Sequence, residues 1–400
     1  MGQVKLAAAQ GTRDLGRLDE ELAGPICQAA EEVEAGAHDE HFPVDLFQTG
    51  SGTSSNMNVN EVIANRAIQL LGGHVGSKEP VHPNDHVNRG QSSNDVFPTA
   101  IHVAAVTGVT WELLPALAHL RAALEERAAE LDEVVKIGRT HLQDATPIRL
   151  GQELSGYAAQ VAHGAAHVEA ALPHMRELAI GGTAVGTGIN THPEFGARVA
   201  TRLSELTGEG FVEAPNHFEA QAAQDSAVQL SGALKTVAVA LIKVANDLRL
   251  LASGPRLGLG ELELPAVQPG SSIMPGKVNP VIAESLIMAC AQVIGNDGAI
   301  TLGGVYGFFE LNVMLPLIAR NLLEQIQLLS RASVMFADRL VKGLTANREH
   351  IAARNEDSLS LATALAPVIG YDRAAEIAKE SHRTGRTVRE LAREKKILPE

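Results

Sequence analysis

The 400-residue sequence predicts a mainly α protein built around a central bundle of long helices. Three observations carry that expectation. Aromatic residues make up only 3% of the chain, whereas Ala and Leu recur throughout, a bias that favours helix over sheet. Five windows keep a helical apolar pattern over long spans, at 101–135, 148–179, 219–253, 280–300 and 310–340; spans of that length suit parallel or antiparallel bundle packing. In the third window Val237, Val239, Leu241, Ile242, Val244 and Leu248 cover more than one helical face. Such a helix is expected to be buried inside its own chain or against another subunit, so oligomerisation through these helices is the expectation and a large single-chain core the alternative.

A chain this long divides into more than one unit, and the pattern changes twice along it. Residues 1–91 alternate short helical patterns with polar loops, "GSGTSSNMN" at 50–58 and "GGHVGSKEPVHPNDHVN" at 72–88. Residues 92–348 hold the long helices. Residues 349–400 return to short patterns with turns at Gly370 and Gly385, a small helical C-terminal domain. No low-complexity tract or fixed-period repeat interrupts this three-domain reading.

The formal charge, 33 minus 47 or −14, argues against a nucleic-acid or anionic-membrane partner over most of the surface. Two cysteines, Cys27 and Cys290, form neither a disulfide framework nor a C-x-x-C motif, and a cytoplasmic location is expected. The N-terminal "MGQVKLAAAQGTRD" lacks an apolar stretch of signal-peptide length and carries Leu6 where a myristoylation signal has Ser or Thr. The apolar run 236–253 is interrupted by Lys243, Asn246, Asp247 and Arg249, which places it below the ~20 residues a bilayer demands and in a soluble core.

Several familiar motifs fail. Around Gly276-Lys277 a phosphate loop would need Gly at 271 and Ser or Thr at 278, where Ser271 and Val278 stand. The run "GGTAVGTG" at 181–188 lacks the spacing and the preceding strand of a dinucleotide site. His163 and His167 share a helical face but lack the glutamate of a metalloprotease motif; they read as surface imidazoles, and neither a metal nor a cofactor is expected.

Four polar clusters remain that a bundle does not need: 50–58, 91–95 ("QSSND"), 138–147 ("GRTHLQDATP") and 270–280 ("GSSIMPGKVNP"). Each joins Ser, Thr or Asn side chains to Gly or to a nearby helix start, where exposed backbone N–H groups and side-chain donors make cradles for carboxylates. The competing use of Ser93, Asn94 or Asp95 is to cap a helix running from Val96. Pro275 and the flanking glycines let the last loop approach a ligand while restraining it.

These segments, with "HPNDHVNRGQSSNDVFPTA" and "FELNV", occur in the order of the fumarase/aspartase superfamily, which the chain resembles over essentially its whole length. The resemblance is closest to the class II fumarate hydratases. Aspartate ammonia-lyases carry Gln where this chain has His141, Asn where it has His82 and Ala where it has Gly276. The resemblance implies a three-domain fold whose long helices form one bundle in a homotetramer, each site being assembled from three subunits, and a reversible hydration of fumarate to (S)-malate through an aci-carboxylate. It assigns the C3 base to Ser271, a role that needs the loop donors and Lys277 to stabilise an alkoxide. It assigns proton transfer at the departing oxygen to His141, the side chain suited to exchanging protons near neutrality, oriented by Glu284. Ser51, Gly52, Thr53, Ser92, Ser93, Asn94 and Thr140, with Ser272, Lys277, Val278 and Asn279, are the implied substrate donors. His82, Pro83, Asn84 and Asp85 match a second carboxylate site, which departs from the family pattern at Glu79, where a basic residue is usual. Relatives begin earlier, with a Trp-Gly pair and a Gln-Thr-x-Arg stretch, so this chain is expected to lack that first segment and to end slightly early. Two other functions compete: an ammonia-lyase acting on aspartate or an N-substituted succinate, and a non-catalytic scaffold protein on the same fold.

Overall fold

The computed structural model describes residues 1–397, and 65% of the residues are helical. Along the chain the helices are α1 (Gly2–Asp14), α2 (Glu20–Glu34), α3 (Thr53–Leu70), α4 (Ser93–Gly108), α5 (Leu114–Glu130), α6 (Leu150–Met175), α7 (Phe195–Thr207), α8 (His217–Ala222), α9 (Asp225–Leu251), α10 (Val281–Val305), α11 (Leu315–Arg339), α12 (Arg348–Asp357), α13 (Ala366–Ile369), α14 (Tyr371–Thr384) and α15 (Val388–Glu394). The mainly α expectation holds. One hairpin of substance, β1 (Val135–Thr140) and β2 (Gln143–Arg149), interrupts them, and further strands of two residues each pair in three small ladders.

The chain packs as two compact units, one of residues 1–115, 164–238 and 290–330, the other of residues 116–163, 239–289 and 331–400. In the first unit, α1, α2 and α3 close over a shared core that includes Leu6, Ile26, Ile63 and Ile68. α4 starts at Ser93 rather than at Val96 because Ser92 closes a capping box: its Oγ accepts from Asn94 N at 3.2 Å, while Asp95 Oδ1 accepts from Ser92 N at 2.9 Å. That exchange satisfies two orphan donors of the first turn. In the second unit the hairpin pairs in register from Val135 with Arg149 to Thr140 with Gln143. It is braced by Asn355 Nδ2, which donates to Val135 O at 2.6 Å, and by Ser360 Oγ, which donates to Asp144 O at 3.1 Å. The C-terminal helices α14 and α15 bury Ile377, Val388 and Leu391 in a core of their own with Leu365.

The apolar stretches are longer than the sequence reading expected. By length and composition alone, three spans are long and apolar enough to cross a membrane, 93–130, 225–251 and 281–305. The charges at 243, 247 and 249 all fall near the end of α9, and the stretch 226–242 before them holds only Lys235. Only 39% of the most apolar window in 281–305 is buried. Val239 on α9 and Met288, Leu302 and Val305 on α10 remain more than half exposed.

Candidate active site

In the first unit the loop before α3 and the loop before α4 meet. Ser51 is buried and its Oγ lies 2.8 Å from Thr53 Oγ1. Gly52 caps α3 with a φ of 73°, and a Cβ there would stand 2.2 Å from the Phe97 ring of α4. No other residue meets both demands. Asn56, on the first turn of α3, donates from Nδ2 to Ser93 Oγ at 3.0 Å. Clusters 50–58 and 91–95 are thus brought side by side, each at a helix N-terminus, where the helix dipole favours an anion.

A third strand of chain joins them. Asp95 Oδ2 accepts from Gly181 N at 3.1 Å and Thr183 N at 2.9 Å, and Asn94 Nδ2 donates to Ala184 O at 2.8 Å. Burial pushes the Asp95 carboxyl up to about 6 against the pull of those N–H donors. The glycine-rich run 181–188, weighed in sequence only as a nucleotide motif, therefore lines the start of α4. Thr183 there is held at a φ of 56° with its Oγ1 buried and unpartnered among the described residues, a strained conformation for a β-branched residue and one that clusters at functional sites.

In the second unit, loop 270–280 is tied into a ring. Asn279 Nδ2 donates to Gly270 O at 2.5 Å and Lys277 Nζ donates to Asn279 Oδ1 at 2.8 Å. A Cβ on Gly270 would stand 2.1 Å from Lys277 O, so the ring closes only around glycine. Ser271 Oγ accepts two backbone N–H groups, from Met274 at 2.9 Å and Ile273 at 3.3 Å. Around them Ser272, Lys277 and Val278 are exposed. The loop borders a cavity of about 840 Å³ that also takes in Arg249, Glu263 and Pro265. Glu284 follows on the first turn of α10.

Thr140 ends β1, and His141 and Leu142 form the two-residue hairpin turn with φ of 56° and 59°. Both central residues of such a turn need positive φ, a demand normally met by Asn-Gly. Here a histidine and a leucine meet it, which stores strain at an exposed tip. Among the described residues no hydrogen bond joins His141 to Ser271, Lys277 or Glu284. The hairpin's base is firm: Lys136, 1% exposed, reaches Glu153 at 3.1 Å and Glu261 at 3.2 Å, and Arg139 pairs with Glu261 at 2.6 Å.

The sequence matches the family model described as "Lyase" over residues 1–295 and that described as "Fumarase C C-terminus" over residues 361–400. It is 58% identical over 392 residues to a class II fumarate hydratase of Methylorubrum extorquens, spanning 98% of this chain and 83% of that one. The chain belongs to the class II fumarate hydratase family. A mitochondrial fumarate hydratase of Danio rerio is 56% identical over 391 residues, 98% of this chain and 77% of that one. Among solved structures, the recombinant class II fumarase from Schistosoma mansoni superposes with a TM-score of 0.96 at 44% identity, covering 99% of this chain and 86% of that chain.

The fifth segment expected from the class II fumarate hydratase pattern, 82–85, forms a tight turn. His82 Nδ1 accepts from Asn84 N and Asp85 N, each at 3.2 Å, and His82 N donates to His86 Nδ1 at 2.8 Å. With Nδ1 occupied as an acceptor, the 3.4 Å approach of Asp85 Oδ2 is no ion pair. Pro83 is buried and Asn84 and Asp85 are exposed.

Proposed function

We propose that this chain is a hydro-lyase that adds water to fumarate to give (S)-malate and runs the same reaction in reverse, with Ser271, His141 and Glu284 carrying the proton transfers. The observation that carries the reading is the environment of Ser271 Oγ, which already accepts two backbone N–H groups at 2.9 and 3.3 Å. A serine hydroxyl is a poor base, but an oxyanion placed there gains both donors at once, each worth about 3 kcal/mol in a preorganised site. Lys277 in the same ring adds an ammonium.

In the dehydration direction, Ser271 as alkoxide takes the proton from C3 of malate. The C–H pair moves into the adjacent carboxylate, giving an aci-carboxylate dianion. Lys277, Asn279 and the loop N–H groups are the donors that meet this charge. The C2–O bond then breaks, the pair re-forms the double bond, and His141 supplies the proton with which hydroxide leaves as water. Glu284 orients that imidazole. The donors at 51–53, 92–94 and 140 hold the two carboxylates of the substrate, with Ser272 and Val278 completing the loop's share. Residues 82–85 form a second, weaker carboxylate site.

The small dicarboxylate meets these groups in a homotetramer whose sites are assembled from three copies, Ser271 and His141 coming from different ones. Two features support that arrangement: the apolar surface left on α9 and α10, and the strained hairpin tip that meets no catalytic partner within its own copy. The same apolar surface is accounted for by other copies rather than by a bilayer, in keeping with a cytoplasmic enzyme. The division into 1–91, 92–348 and 349–400 describes the parts such a copy contributes.

Malate and aspartate offered separately to the purified protein, with the ultraviolet absorbance of the new conjugated double bond followed, decide the substrate. A rise with malate is expected; a rise with aspartate alone rejects the hydratase in favour of an ammonia-lyase, and no rise with either favours a non-catalytic protein.

A further inference from the structure

Lys5 lies in α1 with its side chain wholly buried, at 0% exposure. A buried lysine is ordinarily paired with a carboxylate. Here Nζ donates instead to two neutral amides, Asn88 Oδ1 at 3.0 Å and Gln91 Oε1 at 2.9 Å, and no carboxylate among the described residues stands within ion-pairing distance. Both amides belong to the turn that leads into α4. Asn88 Oδ1 also accepts from Asn56 Nδ2 at 3.3 Å, and that same amide reaches Ser93 Oγ at 3.0 Å. A continuous hydrogen-bonded path thus runs from a buried ammonium to one of the donors at the start of α4.

We propose that Lys5 is a positioning residue for the dicarboxylate pocket: it fixes the turn 88–91 behind Ser92, Ser93 and Asn94, and its charge raises affinity for the dianion. This rests on the reading of those three residues as carboxylate donors. A charge in a dry interior acts over longer distances than one in water, so Lys5 influences substrate without touching it. The charged groups around it are few. Asp95 faces it from α4, and the Met1 amino group stands at the N-cap of α1. Glu34 of α2 lies near Met1, Arg202 of α7 is taken by Asp14 at the other end of α1, and Arg66 of α3 is taken by Glu32. Burial drives the Lys5 ammonium down to about 7, with Asp95 pulling the other way. The charge is therefore present below pH 7 and lost above it, and a bound dianion draws a proton back onto the amine.

The test is the pH dependence, from 6 to about 9, of kcat and KM for malate and of succinate affinity by calorimetry in the wild type, Lys5→Met, Lys5→Arg and Asn88→Asp. Wild-type KM is expected to rise as pH climbs through 7. Lys5→Met should raise KM roughly tenfold at pH 6, abolish that rise and change kcat far less. Arginine keeps its proton at every pH used, so Lys5→Arg should hold KM low to the alkaline end. Asn88→Asp places a carboxylate against the amine and should move the rise to higher pH. Wild-type succinate affinity and pH dependence in Lys5→Met overturns the proposal. If that variant does not assemble, an unmoved rise in both Lys5→Arg and Asn88→Asp overturns it equally. Absent turnover with malate strikes the hydratase reading instead, and succinate binding still reads Lys5.

Discussion

On the proposed mechanism, the chemistry at Ser271 turns on a hydroxyl that accepts two backbone N–H groups of its own loop. Replacing it by alanine removes the base and leaves the ring held by Asn279 and Gly270 in place. Turnover of malate should fall roughly 10²- to 10⁴-fold with KM little changed; near-normal turnover hands the base role elsewhere. A second residue governs acid stability. His102 is buried on α4, its Nδ1 donating to Glu177 O at 2.8 Å and its Nε2 lying 3.1 Å from Ser226 Oγ. Burial, against the help of backbone acceptors, holds its imidazole down to about 4 from 6.5. The unfolded chain therefore binds a proton between pH 6.5 and 4 that the folded chain refuses, so stability is lost as pH falls through that window, by up to roughly 3 kcal/mol. Urea melts should show His102→Gln with a flatter profile there; an identical slope contradicts the assignment. The loop that holds Ser271, Lys277 and Asn279 stood out in sequence because a crowded polar loop has no structural purpose in a bundle. The burial of Lys5, Asp95 and His102 did not stand out, because neighbouring letters do not reveal it.

Among the elements, the helices followed from periodicity and the hairpin did not. Segment 138–147 carries none of the Asn-Gly or Asp-Gly turn chemistry that marks a hairpin; its tip is His141-Leu142, forced to positive φ by the register from Thr140 to Gln143. What holds that tip is the charged base, where Glu261 takes both Lys136 and Arg139 while itself almost wholly buried. Removing one partner of a buried ion network leaves uncompensated charge behind, at a cost of about 3 to 5 kcal/mol. Glu261→Ala should lower stability by that order in denaturant melts, more than removal of a surface carboxylate such as Glu133, half-exposed or more in its pair with Arg348. Equal, small losses in both would mean the network does not brace the hairpin. The capping box at Ser92 shows the converse: the sequence offered Ser93, Asn94 or Asp95 as caps in competition with ligand binding, and the structure gives the cap to Ser92, whose box with Asp95 takes up donors at the start of α4.

For the whole molecule, the apolar windows announced helices that one chain does not fully cover. Val239, Met288 and Leu302 stay exposed, and burying such surface is worth roughly 25 cal/mol per Å², a strong drive toward association. What covers that surface was beyond the sequence, since periodicity reports that a face is buried and not by what. On the proposed mechanism, fumarate is hydrated at a site to which different copies contribute Ser271 and His141. Co-expression of Ser271→Ala chains with His141→Asn chains measures this most directly. Mixed oligomers should turn over malate well above either pure variant, because some sites then receive an intact serine from one copy and an intact histidine from another. Mixed oligomers as inactive as the two parents would contradict it.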